Sequence, residues 1–304
     1  MRQMNTVRLN AHAKVNLTLD ITGIEGGYHT LDSLVVTVSL SDRIVVKRRK
    51  DSLVRVAMHG MGSEGIPPEE NNAVKAAEGF VSRFSTTGAD ITVYKNIPVG
   101  AGLGGSSADA AGVIRAMAKL YAISDMGALK SLADGFGSDT GYLLTGGFAR
   151  MRGRGELIEK LPMPELHMLL ICPQSGVSSG ACYREYDRLG KSQEPRTARA
   201  LELMGTPEWA VRLCGNDLAE AAISLNPDVG VALSEARSFS PLGAGVTGSG
   251  SAAFAIFETK ELCEWAKSRY RGKFRTYVVH SVDPETDKSK KMKNPFALVE
   301  GEEI

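Results

Sequence analysis

The chain has 304 residues, enough for two domains of ordinary size or one large divided one. Apolar residues make up 43% and charged residues 23%, which excludes a disordered, collagen-like or wholly coiled-coil chain. Lys and Arg number 36 against 35 Asp and Glu, so a net charge of +1 gives no global argument for nucleic-acid or membrane-surface binding, although a local basic pocket for a small phosphate stays open.

The N-terminus, residues 1–5, runs straight into a strand pattern without the apolar stretch of a signal peptide. Residues 14–21 alternate Val15, Leu17, Leu19 and Ile21 with Lys14, Asn16, Thr18 and Asp20, which predicts a strand with Lys14 and Asn16 on one face. Further strands are expected at 34–40, 43–48, 54–59 and 91–94. Residues 72–84 carry helical spacing, with Asn71 or Asn72 as cap. A glycine-rich loop at 98–107 opens a second helix, whose apolar side is Ala110, Val113, Ile114, Met117 and Leu120. Another helix is expected at 126–135, followed by a Gly- and Thr-rich segment at 137–147.

Pro162 and Pro164 mark a connection, and the densest apolar run, 166–172, predicts a buried strand that is far too short to span a membrane. Helices are expected at 178–189, 197–204, 208–213, 227–238 and 260–270, and strands at 252–257 and 275–279. From residue 283 the chain is charge-rich and reads as a solvated tail. Strands dominate first and helices later, without strict βαβ alternation, so the expected class is α+β. Cys172, Cys182, Cys214 and Cys263 are scattered without zinc spacing, as in a reducing cytoplasm. His12, His59, His167 and His280 have no metal-ligand spacing and read as structural or exposed.

The strongest local signal is Pro98-Val99-Gly100-Ala101-Gly102-Leu103-Gly104-Gly105-Ser106-Ser107-Ala108. Gly100, Gly102 and Gly105 match G-x-G-x-x-G, but no second strand ends in an acid about 20 residues on, as a dinucleotide fold needs. Ser106 stands where a Walker A lysine should be. What remains is a phosphate cradle. Glycines let backbone N–H groups turn toward an anion, the serines add hydroxyls, and the helix N-terminus adds partial positive charge. Lys95, just upstream, is placed to neutralise phosphate charge. A plain glycine turn feeding a helix is the bland alternative.

This loop resembles the P-G-x-G-L-G-S-S-A motif of the GHMP small-molecule kinases, the family of galactokinase and of homoserine, mevalonate and phosphomevalonate kinases. Ala11-His12-Ala13-Lys14-Val15-Asn16-Leu17 resembles that family's N-terminal motif, and Val246-Thr247-Gly248-Ser249-Gly250-Ser251-Ala252 its C-terminal T-G-x-G motif. The three stand in the family's order and span most of the chain. Residues 21–29 (I-T-G-x-x-x-G-Y-H), Gly137-Ser138-Asp139, Gly153-x-Gly155-Glu156-x-Ile158 and Gly215-Asn216-Asp217-Leu218 resemble a branch whose acceptor is a cytidine-diphosphate methylerythritol in the non-mevalonate isoprenoid route.

The resemblance implies transfer of the ATP γ-phosphoryl group to the acceptor's 2-hydroxyl. Asp139 would be the base, Lys14 would stabilise the transferred phosphoryl group, and Asn16 would position substrate. Residues 98–108 and Lys95 would hold ATP. Tyr28, His29 and Tyr183 would bind the cytosine, with Tyr28 and Tyr183 sandwiching it. Ser179, in place of a family threonine, and Thr247, Gly248 and Gly250 would contact substrate. Mg²⁺ follows from the reaction class, with Ser107 (or Ser106) touching it. The implied fold is two α+β lobes with the site in the cleft. The first is a ribosomal-protein-S5-like N-terminal lobe (1–162) with a βαβ crossover around the glycine loop. The second is a ferredoxin-like C-terminal lobe (163–282), followed by the tail (283–304). The expected partners are the acceptor and ATP, with no nucleic acid and no membrane, and the expected location is cytoplasmic. A family kinase with a different small-alcohol acceptor, or a non-catalytic ligand sensor, are the competing readings.

Overall fold

The computed structural model describes residues 4–64, 67–190, 194–204, 206 and 214–285. The helix expected at 208–213 and the tail beyond residue 285 lie outside them. Strands β1 (Thr6–Asn16), β2 (Thr18–Glu25), β3 (Tyr28–Arg48) and β4 (Arg55–Gly60) precede helix α1 (Asn72–Phe84). Then β5 (Ala89–Lys95) leads through the glycine loop into α2 (Gly105–Tyr121), α3 (Met126–Asp134) and α4 (Ser138–Leu143), and the hairpin of β6 (Phe148–Gly153) and β7 (Leu157–Leu161) follows. The second half runs β8 (His167–Cys172), α5 (Ser179–Leu189), α6 (Arg196–Glu202), β9 (Gly215–Asn216), α7 (Ala219–Leu225), α8 (Pro227–Ser238), β10 (Gly243–Val246), β11 (Ala253–Phe257), α9 (Lys260–Arg269) and β12 (Arg275–His280).

The two strands expected at 34–40 and 43–48 are one, β3, which is the spine of the first sheet. Its first part lies between β2 and β6, and its last part between β1 and β5. The run at 14–21 is instead divided. The chain turns at Leu17, whose N–H donates to the Leu34 carbonyl at 2.8 Å while its own carbonyl accepts from Gly215 N–H at 3.1 Å. The βαβ unit also differs from expectation. The parallel neighbours β4 and β5 are joined through α1, so the crossover precedes the glycine loop rather than surrounding it. The helix after the loop, α2, is apolar nearly all round, as a helix buried on most of its surface must be, and it packs on β1 and β3.

The second sheet, in the order β10-β11-β8-β12, is antiparallel and buried on both faces. Alternation along β8 divides its side chains. Met168, Leu170 and Cys172 join the core of the first half, while Leu169 and Ile171 join a second core under α5 and α7–α9. The two halves are therefore fused through a shared layer, and short connections cross it. Strand β9 pairs in parallel with β2. Among the described residues no helix is long and apolar enough to cross a membrane.

Candidate active site

The N-terminal motif and the two glycine-containing motifs meet at the corner between β1 and β2. A register shift between His12 and Lys14 interrupts the β1–β3 ladder, and bulges of this kind re-aim side chains. Lys14 N–H donates to the Leu103 carbonyl at 3.0 Å, and Asn16 N–H donates to Thr247 Oγ1 at 3.0 Å. The glycine loop is bonded in turn to the C-terminal motif: Gly100 accepts from Ser251 N–H, and Ala101 from Ala252 N–H. Asn216 Nδ2 donates to the carbonyls of Val246 and Gly248, fixing the turn from behind.

Close packing makes Gly102 irreplaceable at this junction. Its φ is +74°, and a Cβ there would stand 2.1 Å from the Thr247 carbonyl oxygen. Gly102→Ala is expected to destabilise the fold by about 2 kcal/mol or more, combining left-handed strain with overpacking. Gly27 has φ +80° with nothing within 4 Å of its would-be Cβ, so Gly27→Ala carries the strain alone. Urea melts of the two variants separate the terms, and equal losses would remove the packing argument.

A cavity of about 480 Å³ opens on this junction. Lys14 and Asp139 face each other across it at 3.4 Å, the lysine side chain 5% exposed and the aspartate 30%. Asp139 lies in the first turn of α4, so the Gly- and Thr-rich segment proves to be helical. Lys14 Nζ also donates to Asn16 Oδ1 at 2.5 Å, and Asn16 Nδ2 donates to Ser33 Oγ at 2.8 Å. Asn16 lines the cavity, where substrate is expected, and also orients the Lys14 ammonium.

Residues Pro98 through Ser107 line the cavity; Ala108 does not, being packed in the first core. Gly104 caps α2 in a left-handed conformation without a side-chain hydrogen bond, so the first-turn N–H groups face an anion site unblocked. Ser106 Oγ accepts from Asn72 Nδ2 at 2.8 Å. Of the two asparagines suggested as a cap, Asn71 accepts from Ala73 N–H, which leaves the Asn72 side chain for the loop.

Lys95 corrects its expected role. Its ammonium is buried between Asp42 and Asp109, 2.6 Å from the latter. Asp42 also accepts from the N–H groups of Asn96 and Ile97, so this cluster braces the root of the loop. Burial pushes the Asp109 carboxyl up; Lys95 opposes the rise and Asp42 adds to it. Flanked by two carboxylates, Lys95 brings no net positive charge to the cradle.

The C-terminal motif divides similarly. Gly248, Ser249 and Ser179 line the cavity, and Ser249 Oγ is 3.0 Å from Ser179 Oγ. Thr247 is fully buried behind the turn, where its hydroxyl donates to Gly102 O at 3.4 Å, and Gly250 packs against Ala222 and Val246. Neither of these two is among the residues that line the cavity.

At the rim, Tyr183 stacks on His29 with ring centroids 4.9 Å apart, and His29 Nε2 lies 2.9 Å from Asp187 Oδ1. Burial raises the Tyr183 hydroxyl to about 12, so it stays a donor. Tyr28 is 58% exposed and carries the Arg154 guanidinium over its ring at 3.8 Å. The stacking partner of Tyr183 is therefore His29, while Tyr28 stacks with Arg154; the expected sandwich would place a cytosine between Tyr28 and Tyr183. Asn72, Asp109 and Arg154 line the site without having been singled out in the sequence as site residues; only Asn72 carried a local signal, as a cap.

A Mg²⁺ ion would find no cage of three or more acidic, histidine or cysteine side chains among the described residues. The donor set suits an ion held mainly by phosphate oxygens, with Ser107 beside the helix start. The four cysteines form no disulfide; burial raises each thiol, to about 12 for Cys172, Cys214 and Cys263 and about 11 for Cys182, so they are inert.

Comparison with known proteins agrees with this geometry. The sequence models of the GHMP kinases N terminal domain and the GHMP kinases C terminal domain match residues 71–141 and 198–274. A 4-diphosphocytidyl-2-C-methyl-D-erythritol kinase of Desulfitobacterium hafniense is 37% identical over 92% of this chain and 97% of its own length. One from Cutibacterium acnes is 34% identical over 84% and 87%. A crystal structure of 4-(cytidine 5'-diphospho)-2C-methyl-D-erythritol kinase superposes with a TM-score of 0.75 at 31% identity, covering 91% of this chain and all of that one. A homoserine kinase from Cytophaga hutchinsonii shares the fold, with a TM-score of 0.70 at 18% identity.

Proposed function

The chain belongs to the GHMP kinase family and is an ATP-dependent small-molecule kinase, and from that premise we propose the acceptor and the residue roles. It transfers the γ-phosphoryl group of ATP to the 2-hydroxyl of 4-diphosphocytidyl-2-C-methyl-D-erythritol, a step in non-mevalonate isoprenoid precursor synthesis. The observation that carries the reading is the Lys14–Asp139 pair at 3.4 Å, set beside an uncapped helix N-terminus and below an aromatic rim.

Asp139 accepts the hydroxyl proton as the O–P bond forms. Lys14, held by Asn16, stabilises charge on the attacking oxygen and the transferred group. The loop N–H groups and the α2 N-terminus hold the nucleotide phosphates. Mg²⁺, with Ser107 among its neighbours, supplies further charge neutralisation when bound. Tyr28, His29 and Tyr183 offer ring faces and polar edges to a cytosine, which favours this acceptor over a small alcohol without a base. Residues 1–162 act as the nucleotide-binding unit and 163–282 as the second domain; the gap between β7 and β8 falls at that boundary. A cytoplasmic setting suits the unbridged cysteines.

ADP release with Mg·ATP is the test, with the cytidine-diphosphate acceptor, mevalonate and homoserine in parallel. Turnover on the cytidine compound alone is expected. Turnover on another alcohol instead would keep the kinase and overturn the acceptor.

A further inference from the structure

The cavity has three lining cations, Lys14, Lys95 and Arg154. Lys14 faces Asp139, and Lys95 sits between Asp42 and Asp109. The Arg154 guanidinium alone makes no ion pair or hydrogen bond with the described residues; it rests on the exposed face of Tyr28. An acceptor that is itself a diphosphate brings more negative charge into the cavity than the Lys14–Asp139 pair or the self-neutralising Lys95 cluster can meet.

The position of Arg154 matters as much as its charge. It occupies the turn of the β6–β7 hairpin, held there because its own N–H donates to Glu156 Oε2 at 2.7 Å. On one side stands Tyr28. On the other, Gly155 packs on Ser138, where an added Cβ would lie 3.1 Å from the Ser138 Cβ, one residue before Asp139. The turn that carries Arg154 therefore reaches from the rim aromatic, through the guanidinium, to the segment that carries the base, through Gly155. In the acceptor the diphosphate likewise lies between the nucleobase and the hydroxyl.

We propose that Arg154 binds the diphosphate of the acceptor and so determines specificity for a nucleoside-diphosphate-linked alcohol. This rests on the acceptor assigned above. The planar fork of donors matches two phosphate oxygens at once, and its N–H groups are not committed to any ion pair or hydrogen bond with the described residues while the guanidinium lies against Tyr28. The glycine loop offers the phosphate site assigned to the nucleotide, and Arg154, on the β6–β7 turn, is not part of that loop.

The test is steady-state kinetics of Arg154→Gln and Arg154→Lys, with calorimetric binding of CDP and cytidine to each variant and the parent. Arg154→Gln should raise the acceptor KM by about 10- to 100-fold with kcat within about threefold, and leave the ATP KM unchanged, as loss of a charge-assisted hydrogen bond predicts. Arg154→Lys should restore part of the loss, and CDP should fall toward cytidine in affinity for Arg154→Gln. An unchanged acceptor KM, a rise in the ATP KM alone, or an equal weakening of CDP and cytidine would overturn the proposal. If the parent enzyme does not turn over the cytidine acceptor, the acceptor reading fails there. The binding arm then still decides Arg154: CDP bound no better than cytidine by the parent, or equally well by Arg154→Gln, refutes it. The side chain is exposed on a hairpin turn, so both variants should melt with the parent.

Discussion

Asp139→Asn is expected to lower kcat by about 10²- to 10⁴-fold, the range that general-base removal usually covers, while the ATP KM and the melting temperature stay near those of the parent. Asparagine keeps the size of the side chain and one oxygen toward Lys14, so the cavity and the first turn of α4 are preserved. What it loses is the ability to take a proton. Stability should barely respond, because the aspartate is 30% exposed and an ion pair partly open to water contributes about 0–1 kcal/mol. Stopped-flow or quench measurement of a single turnover isolates the chemical step. A variant within tenfold of the parent would show that Asp139 only orients the hydroxyl, and that water can carry the proton away.

Some parts of this site were written locally and others were not. Helices α1 and α8 are legible to the residue because their signals are local: Asn71 caps the first, and Asn226 followed by Pro227 starts the second. The glycine loop is legible for the same reason. Lys14 and Asp139 come from distant segments, and only the family resemblance joined them before the fold did. The register shift ahead of Lys14 has no composition signature; its extra residues lie on β3, between Thr37 and Ser41, far from Lys14 in sequence. Lys95, just before the glycine loop, and Thr247 and Gly250, inside the C-terminal motif, show that a motif and its flank mix residues that line the cavity with residues that brace it. Which is which depends on burial, and Asp42 and Asp109, whose closeness neutralises Lys95, come from other elements. Arg154 was passed over as the variable position between two motif glycines.

Lys14→Met is the second large expected effect, a loss of about 10²- to 10³-fold in kcat, comparable to removing one charge-stabilising donor from a preorganised site. It differs from Asp139→Asn in stability. Lys14 is buried, and without its ammonium the Asn16 Oδ1 loses its donor, a cost of about 1–3 kcal/mol that the methionine stem offsets in part by packing beside Gly104 and Leu143. Lys14→Arg should be no rescue. Lys14 is buried and its ammonium is set as a point charge between Asn16 and Asp139, a placement that the longer, planar guanidinium does not reproduce. The decisive comparison is the double variant Lys14→Met/Asp139→Asn. If the two side chains act on one hydroxyl as a unit, the double loss should stay within about tenfold of the worse single variant. Losses that multiply in full would mean that the pair at 3.4 Å is a contact of neighbours working on separate steps.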